Sequence, residues 1–343
     1  MLTRIPAGEV RLTVAQPASP LDLEVACTTS GSLGLGPEWS ELWSAVRPRA
    51  PFLSAPWHAA WWATLGAGSP ETVLLRHGGR GVALAPLRRR ADGTLEFSGG
   101  EFTDALDVLA LDPNAARLIG CAVAGRSDRL ELSWIREGGH ALGPFADGLR
   151  SSGMRVSKEP IIVSPRLALP TSFDAYLAGL PGKERHELRR KMRRLESVGA
   201  VSFAYLVEPA RAAGLERFVA WHRATPGEKG TFLTPEREAF FRELARSGGE
   251  AGWWRLGELR LEDRPIASVF AFELDGVVYA YNSAVAPDSA SLSPGVLLHA
   301  HAIRDAIERG LSAYDFLRGD ERYKYDLGGT DVQLYRLTAE RDA

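Results

Sequence analysis

The chain has 343 residues, enough for two domains of ordinary size, with the apolar and charged fractions of a globular protein. Its formal net charge of −2 gives no global attraction to nucleic acid or acidic membrane, so any anion site has to be local. Two distant cysteines, Cys27 and Cys121, exclude a disulfide framework and a structural zinc site, and no apolar run approaches the ~20 residues that cross a bilayer. No basic segment followed by an apolar run opens the sequence, which predicts no signal peptide and a reduced, cytoplasmic setting. Abundant Ala, Gly and Arg with little Lys fits a GC-rich bacterial genome.

Residues 1–36 are rich in Pro, Ser and Gly and read as an N-terminal extension. Val10–Val14 and Leu21–Val25 alternate as edge strands would. Trp39, Leu42, Trp43 and Val46 lie at helical spacing, and Pro48 and Pro51 stop that helix. A second helix runs from Trp57 to Leu65. Its tryptophans and those of the first helix are expected to fill a core. Thr72–Arg76, Gly81–Leu87 and Thr94–Gly99 read as strands joined by glycine turns. Asp104 and Asp107 follow the last of them, in a loop of the kind that carries catalysis. Helices over 114–123 and 141–151 alternate with strands over 129–134 and 154–163.

Pro165–Pro170 is the expected join between domains, dividing residues 37–165 from 166–343. Thr171 or Ser172 caps a short helix over 171–180. Lys183–Val198 is a helix with Leu188, Met192, Leu195 and Val198 on one face and cations on the others. Its positive charge exceeds what pairing along the helix neutralises, so Arg185, Arg189 and Arg190 are candidate anion contacts. A strand over 201–207 and helices over 210–223 and 234–247 follow, the last capped by Thr234 with Pro235 at its first position.

The densest pattern is Gly257–Gly319. Strands Gly257–Leu261 and Pro265–Leu274 lead to an Asp275-Gly276 hairpin turn and a third strand, Val277–Val285. Tyr279 and Tyr281 share a face of it, and Asn282 follows. A helix then opens at Ser293-Pro294-Gly295, with Ser293 as cap. The exposed N–H groups of Gly295, Val296 and Leu297 are placed to hold a phosphate or an oxyanion. It ends near Gly310. The strand Ala313–Leu317 runs into a charged cluster of Asp315, Arg318, Asp320, Tyr323 and Lys324, groups close enough to perturb one another. A last strand spans Asp331–Thr338. His222, His299 and His301 have no third ligand at metal spacing, so no metal is expected.

Several phrases together resemble the BioF2-like, CelD-like branch of the GNAT acetyltransferases, which is related to the FemABX peptidyltransferases. They are PFLSAPWHAAWW, TDALDVLA, KERHELRRKMRRLE, YNSAV, LSPGVLLHAHAI, IERG and YDFLRGDERYK. The resemblance spans roughly Trp39 to Leu337 and is most specific between Lys183 and Lys324. It implies an α/β chain of tandem GNAT-like lobes, each a mixed sheet flanked by helices. It also implies an acyltransferase that moves an acyl group, from acetyl-CoA or another acyl-CoA, to an amine or hydroxyl of a small molecule or sugar precursor. Asp104 and then Asp107 would take the proton, with Asp320 as a further base. Lys324 and Tyr281 would stabilise the oxyanion. Asn282, Ser293, Gly295, Val296 and Leu297 would hold the donor, and Tyr279, Arg318 and Tyr323 would line the site. Only one glycine stands where the family's pyrophosphate loop carries an Arg/Gln-x-x-Gly-x-Gly/Ala run. Two alternatives are a FemABX-like transferase using aminoacyl-tRNA and a non-catalytic scaffold in exopolysaccharide assembly.

Overall fold

A computed structural model of the chain describes residues 9–11, 23–28, 36–225 and 227–341. Of the two expected N-terminal strands, residues 12–14 and 21–22 lie outside the described residues. Two compact units are present, Met1–Ile162 with Gln333–Ala343, and Val163–Val332.

The first unit begins with β1 (Glu9–Arg11), β2 (Leu23–Thr28), α1 (Gly36–Ala45) and α2 (Ala55–Thr64). It continues with β3 (Ser69–Pro70), β4 (Thr72–His77), β5 (Arg80–Ala85), β6 (Leu87–Arg89), β7 (Leu95–Phe97) and β8 (Leu109–Ala110). It then runs through α3 (Pro113–Ala124), β9 (Arg129–Arg136), α4 (Pro144–Ser151) and β10 (Met154–Val163). Local chemistry sets the helix starts. Ser54 Oγ accepts from Trp57 N–H at 3.3 Å to cap α2, and Asp112 Oδ1 accepts from Ala115 N–H at 2.8 Å to cap α3. Trp39, Trp57 and Trp61 are buried, the packing role expected of them.

The strands divide between two sheets. One is antiparallel, in the order β1-β2-β4-β5-β8. The other contains one parallel pair, β7 with β9. Ile119 of α3, Phe145 of α4 and Leu132 of β9 meet in the core of this unit.

The second unit comprises β11 (Arg166–Ala168), α5 (Phe173–Gly179), α6 (Gly182–Glu196), β12 (Val201–Tyr205), α7 (Ala210–Ala224), α8 (Glu228–Thr231) and α9 (Pro235–Glu250). After these come β13 (Trp254–Leu261), β14 (Arg264–Leu274), β15 (Val277–Val285), α10 (Pro294–Glu308), β16 (Ala313–Asp315) and α11 (Arg322–Asp326). Its single mixed sheet has the order β11-β16-β15-β14-β13-β12. The β14–β15 hairpin turns at Asp275 (φ 49°) and Gly276 (φ 77°), the two left-handed residues that a two-residue hairpin turn requires. Ser172 caps α5 and Thr234 caps α9. Leu297, Leu298 and Ile303 of α10 pack on one face of the sheet, against Ile266, Val269 and Val278. Phe218 of α7 and Phe241 of α9 pack on the other, against Phe270.

Two boundaries differ from the sequence reading. The final strand, β17 (Gln333–Arg341), was expected with the second domain but pairs with β9 in the first unit, from Leu334↔Arg136 to Glu340↔Arg129. Its alternating pattern fixes which face is buried, not which sheet it joins. The strand expected over Ala313–Leu317 stops at Asp315. The Asp315 carboxylate accepts the Leu317 N–H at 2.9 Å, and Leu317 turns left-handed at φ 62°.

Candidate active site

The second unit opens where β15 and β16 part. These parallel neighbours pair only through Val277↔Ala313, Val278↔Tyr314 and Tyr279↔Asp315. β15 runs on to Val285, with β14 still paired to its other edge. Among the described residues, 280–285 therefore present backbone donors and acceptors with no strand on the β16 side, an edge able to take an extended ligand. Within this stretch the β14–β15 register passes from Phe270↔Asn282 to Ala271↔Ala280, so Tyr281 is the extra residue of a β-bulge. A bulge bends its strand and re-aims a side chain. The half-buried Tyr281 ring packs against Phe241 and Phe272, with centroids 5.4 and 5.3 Å away. Tyr279 is buried and pairs with Phe272.

Asn282 has a partner that the sequence reading missed. His222 Nε2, on the buried face of α7, donates to Asn282 Oδ1 at 3.0 Å. The two residues are 60 positions apart. Only the packing of α7 on β15 brings them together.

The α10 start differs from the expectation in two respects. Ser293 is left-handed, with φ 56° and ψ 41°, and its side chain caps nothing. The expected serine cap fails because capping needs an extended backbone at that residue. Leu297 N–H is also not free, since it donates to Ser293 O at 3.3 Å. Gly295 and Val296 remain as the first-turn amides. A Cβ at Gly295 would meet only Val285 Cγ2 at 3.7 Å, an ordinary contact, so packing does not require glycine there.

Helix α6 lies beside this start, with a different row of its residues inward than expected. A small cavity of about 90 Å³ is lined by Lys183, Glu187 and Lys191 of α6, Val296 of α10 and Arg322 of α11. Lys183, Glu187 and Lys191 are four apart, a single stripe next to the buried Leu188–Met192–Leu195 row. The expected cations point elsewhere. Arg185 donates to Ala178 O at 3.1 Å, and Arg189 is exposed. Arg190 binds Glu187 with two 2.8 Å bonds, and this bidentate contact holds the Glu187 carboxyl down at about 2.

Lys324 is buried, and its ammonium group is fully occupied. Nζ donates to Leu317 O at 3.0 Å, Arg318 O at 2.6 Å and Gly319 O at 3.2 Å, and pairs with Glu321 at 2.9 Å. An ammonium has three N–H donors, so none is left for an oxyanion. Lys324 instead clamps the left-handed turn after β16. At the end of this turn Asp320 is exposed, while Arg318 is half-buried. The Tyr323 ring stacks on His299, with centroids 5.3 Å apart and planes at 23°, and burial raises its phenol pKa.

Asp104 and Asp107 belong to the first unit. Asp104 is buried after the turn at Gly100–Phe102. The Asp107 carboxylate accepts from Val108 N–H at 2.8 Å, His140 N–H at 2.8 Å and Ala141 N–H at 2.7 Å. Three backbone donors make it an anchor between two loops, while burial pushes its carboxyl pKa up. Among the described residues no group of three or more His, Cys, Asp or Glu could hold a metal. No described helix is long and apolar enough to cross a membrane.

Residues 182–325 match the family model of the acetyltransferase (GNAT) domain. No curated protein matches the sequence. Among solved structures, FemX superposes with a TM-score of 0.60 at 12% identity, covering 87% of this chain and 94% of FemX. A conserved protein of unknown function from Bacteroides thetaiotaomicron VPI-5482 gives 0.51 at 12% identity, over 83% of this chain and 90% of that one. The C-terminal DUF2156 domain of a proposed lysylphosphatidylglycerol synthetase from Agrobacterium fabrum gives 0.50 at 13%, over 75% of this chain and 80% of that one. At such identities these likenesses speak for the fold. Residues 182–325 are thus similar to the acetyltransferase (GNAT) domain, they contain the parted parallel pair and the helix start beside it, and the chain shares its fold with FemX.

Proposed function

We propose that the second unit transfers an acyl group from an acyl-CoA, acetyl-CoA first among them, to an amine or hydroxyl of a small molecule or polysaccharide precursor. The CelD-like branch of the family is the nearest reading of its wording. The observation that carries the proposal is the open edge of β15 over residues 280–285 beside the Gly295 and Val296 amides. An acyl-pantetheine arm is extended and rich in amides, which suits such an edge. Its pyrophosphate suits a helix start flanked by Lys183, Lys191 and Arg322. In the reaction the acceptor's nitrogen or oxygen bonds to the acyl carbon, the C–S bond breaks, and the thiolate leaves. We assign the acceptor's proton to Asp320, exposed after the β16 turn of the same unit. The Tyr281 hydroxyl, at the bulge, is the proposed partner of the oxyanion. Incubating the protein with a panel of acyl-CoAs tests this. Calorimetry should show binding, and a thiol assay should show release once an acceptor is present. If every donor in the panel fails both, the reading is wrong.

The exposed side of α6 favours a second reading, an aminoacyl-tRNA donor. Arg189 is open there for a phosphate backbone. Charge reversal by Arg189→Glu with Arg190→Glu should then abolish tRNA binding and its salt dependence. Binding that survives the double change removes α6 as the contact.

A further inference from the structure

The first unit has a cavity of its own. In its mixed sheet β7 and β9 run parallel but pair only at Leu95↔Leu130. β7 ends at Phe97, while β9 continues to Arg136. A cavity of about 410 Å³ lies where they part, lined by Glu96 and Phe97 from β7 and by Glu131 and Trp134 from β9. This volume falls within the range of small-molecule pockets. Trp61 of α2 and Phe102 complete its aromatic lining, and Arg88 of β6 and Arg336 of β17 bring two guanidinium groups.

The polar groups are held in place before any ligand arrives. Arg88 Nη2 pairs with Glu96 Oε1 at 2.7 Å and Nη1 donates to Ala67 O at 2.9 Å, with the guanidinium 5.3 Å from the Trp61 ring centroid. Arg336 Nε lies 3.6 Å from Glu131 Oε1 and donates to Ser133 Oγ at 3.3 Å. Arg88 Nε is buried without an acceptor among the described residues.

The backbone is also constrained here. Register passes from Tyr335↔Ile135 to Leu337↔Leu132, so Ser133 and Trp134 together oppose Arg336. Trp134 is left-handed at φ 67°, a conformation that large side chains seldom adopt. Bulges and such strained residues gather at binding sites, where they aim a side chain.

The lining selects among ligand classes. Two arginines stand against Glu96, Glu131 and Glu101, so the wall is near neutral and offers nothing to a polyanion such as the phosphates of a nucleotide. It presents planar donors and planar acceptors side by side, next to four aromatic rings. A hydroxyl donates to a carboxylate and accepts from a guanidinium, and vicinal hydroxyls suit these flat pairs in two places at once. The C–H face of a pyranose packs on an indole or phenyl ring. We infer that this cavity is a binding site for a neutral sugar ring. The inference does not rest on the acyl-transfer reading of the second unit, because every group it uses belongs to the first.

The test is to titrate the full chain with methyl glycosides of glucose, galactose, mannose and N-acetylglucosamine, followed by saturation-transfer NMR and tryptophan fluorescence. At least one glycoside should bind saturably. Glu131→Gln, which keeps shape and removes charge, should weaken it about 10-fold, and Trp134→Ala should do the same through the ring face. Acetyl-CoA binding, read by calorimetry, should stay within about 2-fold in both variants. Thermal melts identify a variant that has merely lost its fold, and Glu131→Gln then carries the test alone. The inference is overturned if no glycoside binds up to about 50 mM, some 10-fold above a weak millimolar site. It is overturned equally if glycoside binding survives both substitutions. A diamine or inorganic pyrophosphate that binds, and is lost in these same variants, would also sink it.

Discussion

Replacing Gly295 by aspartate separates the role of the α10 start in stability from its role in binding. A Cβ at this position meets only Val285 Cγ2, at 3.7 Å, so the larger side chain has room. Aspartate in a first turn interacts favourably with the free amides and the helix dipole, by about 0.3–1 kcal/mol, and replaces a residue with poor helix propensity. Thermal stability of the second unit should therefore hold or rise by about 1–3 °C. A bound pyrophosphate would see the opposite effect. Two like charges ~4 Å apart at an effective dielectric near 20 repel by about 4 kcal/mol, and partial solvation at this half-exposed position reduces that to about 2 kcal/mol. Acetyl-CoA affinity should fall roughly 30-fold by calorimetry, and less at high salt. Gly295→Ala is the control, raising stability slightly with little effect on affinity. Unchanged affinity in the aspartate variant would mean that the phosphates do not sit at α10. A destabilised alanine variant would refute the claim that packing does not require glycine.

Lys324→Met removes the donors that hold Leu317 O, Arg318 O and Gly319 O, and should cost about 3 kcal/mol or more in urea unfolding; a stable variant with a slower reaction would restore Lys324 to the chemistry. Asp107→Asn keeps the shape but weakens three N–H bonds, so the melting temperature should drop while turnover per folded molecule is retained; loss of turnover without loss of stability would return it to the list of bases. Burial lowers His58 from 6.5 to about 3, and burial with Arg304 nearby lowers His301 from 6.5 to about 4. Both groups take up protons more readily when unfolded, so the stability they contribute is complete above pH 6.5 and is lost as pH falls towards their folded values. At about pH 5 each should cost about 2 kcal/mol, seen as a falling urea midpoint; a flat profile between pH 7 and 5 would contradict their neutral burial.

The sequence alone was sufficient where structure is set locally. Asp275-Gly276 supplies the two left-handed residues of the hairpin turn, Thr234-Pro235 starts α9, and the Leu188–Met192–Leu195 stripe gives α6 its buried face. These depend on residues a few positions apart, and their periodicity and turn chemistry are written in the chain. Other features arise from pairings across long stretches of sequence. β17 joins β9 some two hundred residues away, and His222 reaches Asn282 through the packing of a helix on a strand. The β-bulge at Tyr281 exists only against β14. Lys324 reads in the sequence as one member of a charged cluster, and only the left-handed turn at Leu317 shows that carbonyl oxygens surround it. The tertiary structure likewise brings the lysine row of α6, and not its arginines, beside the α10 start. An alternating or helical pattern states which side of an element seeks the core. Its partner is selected by the summed fit of distant surfaces, which no local window contains.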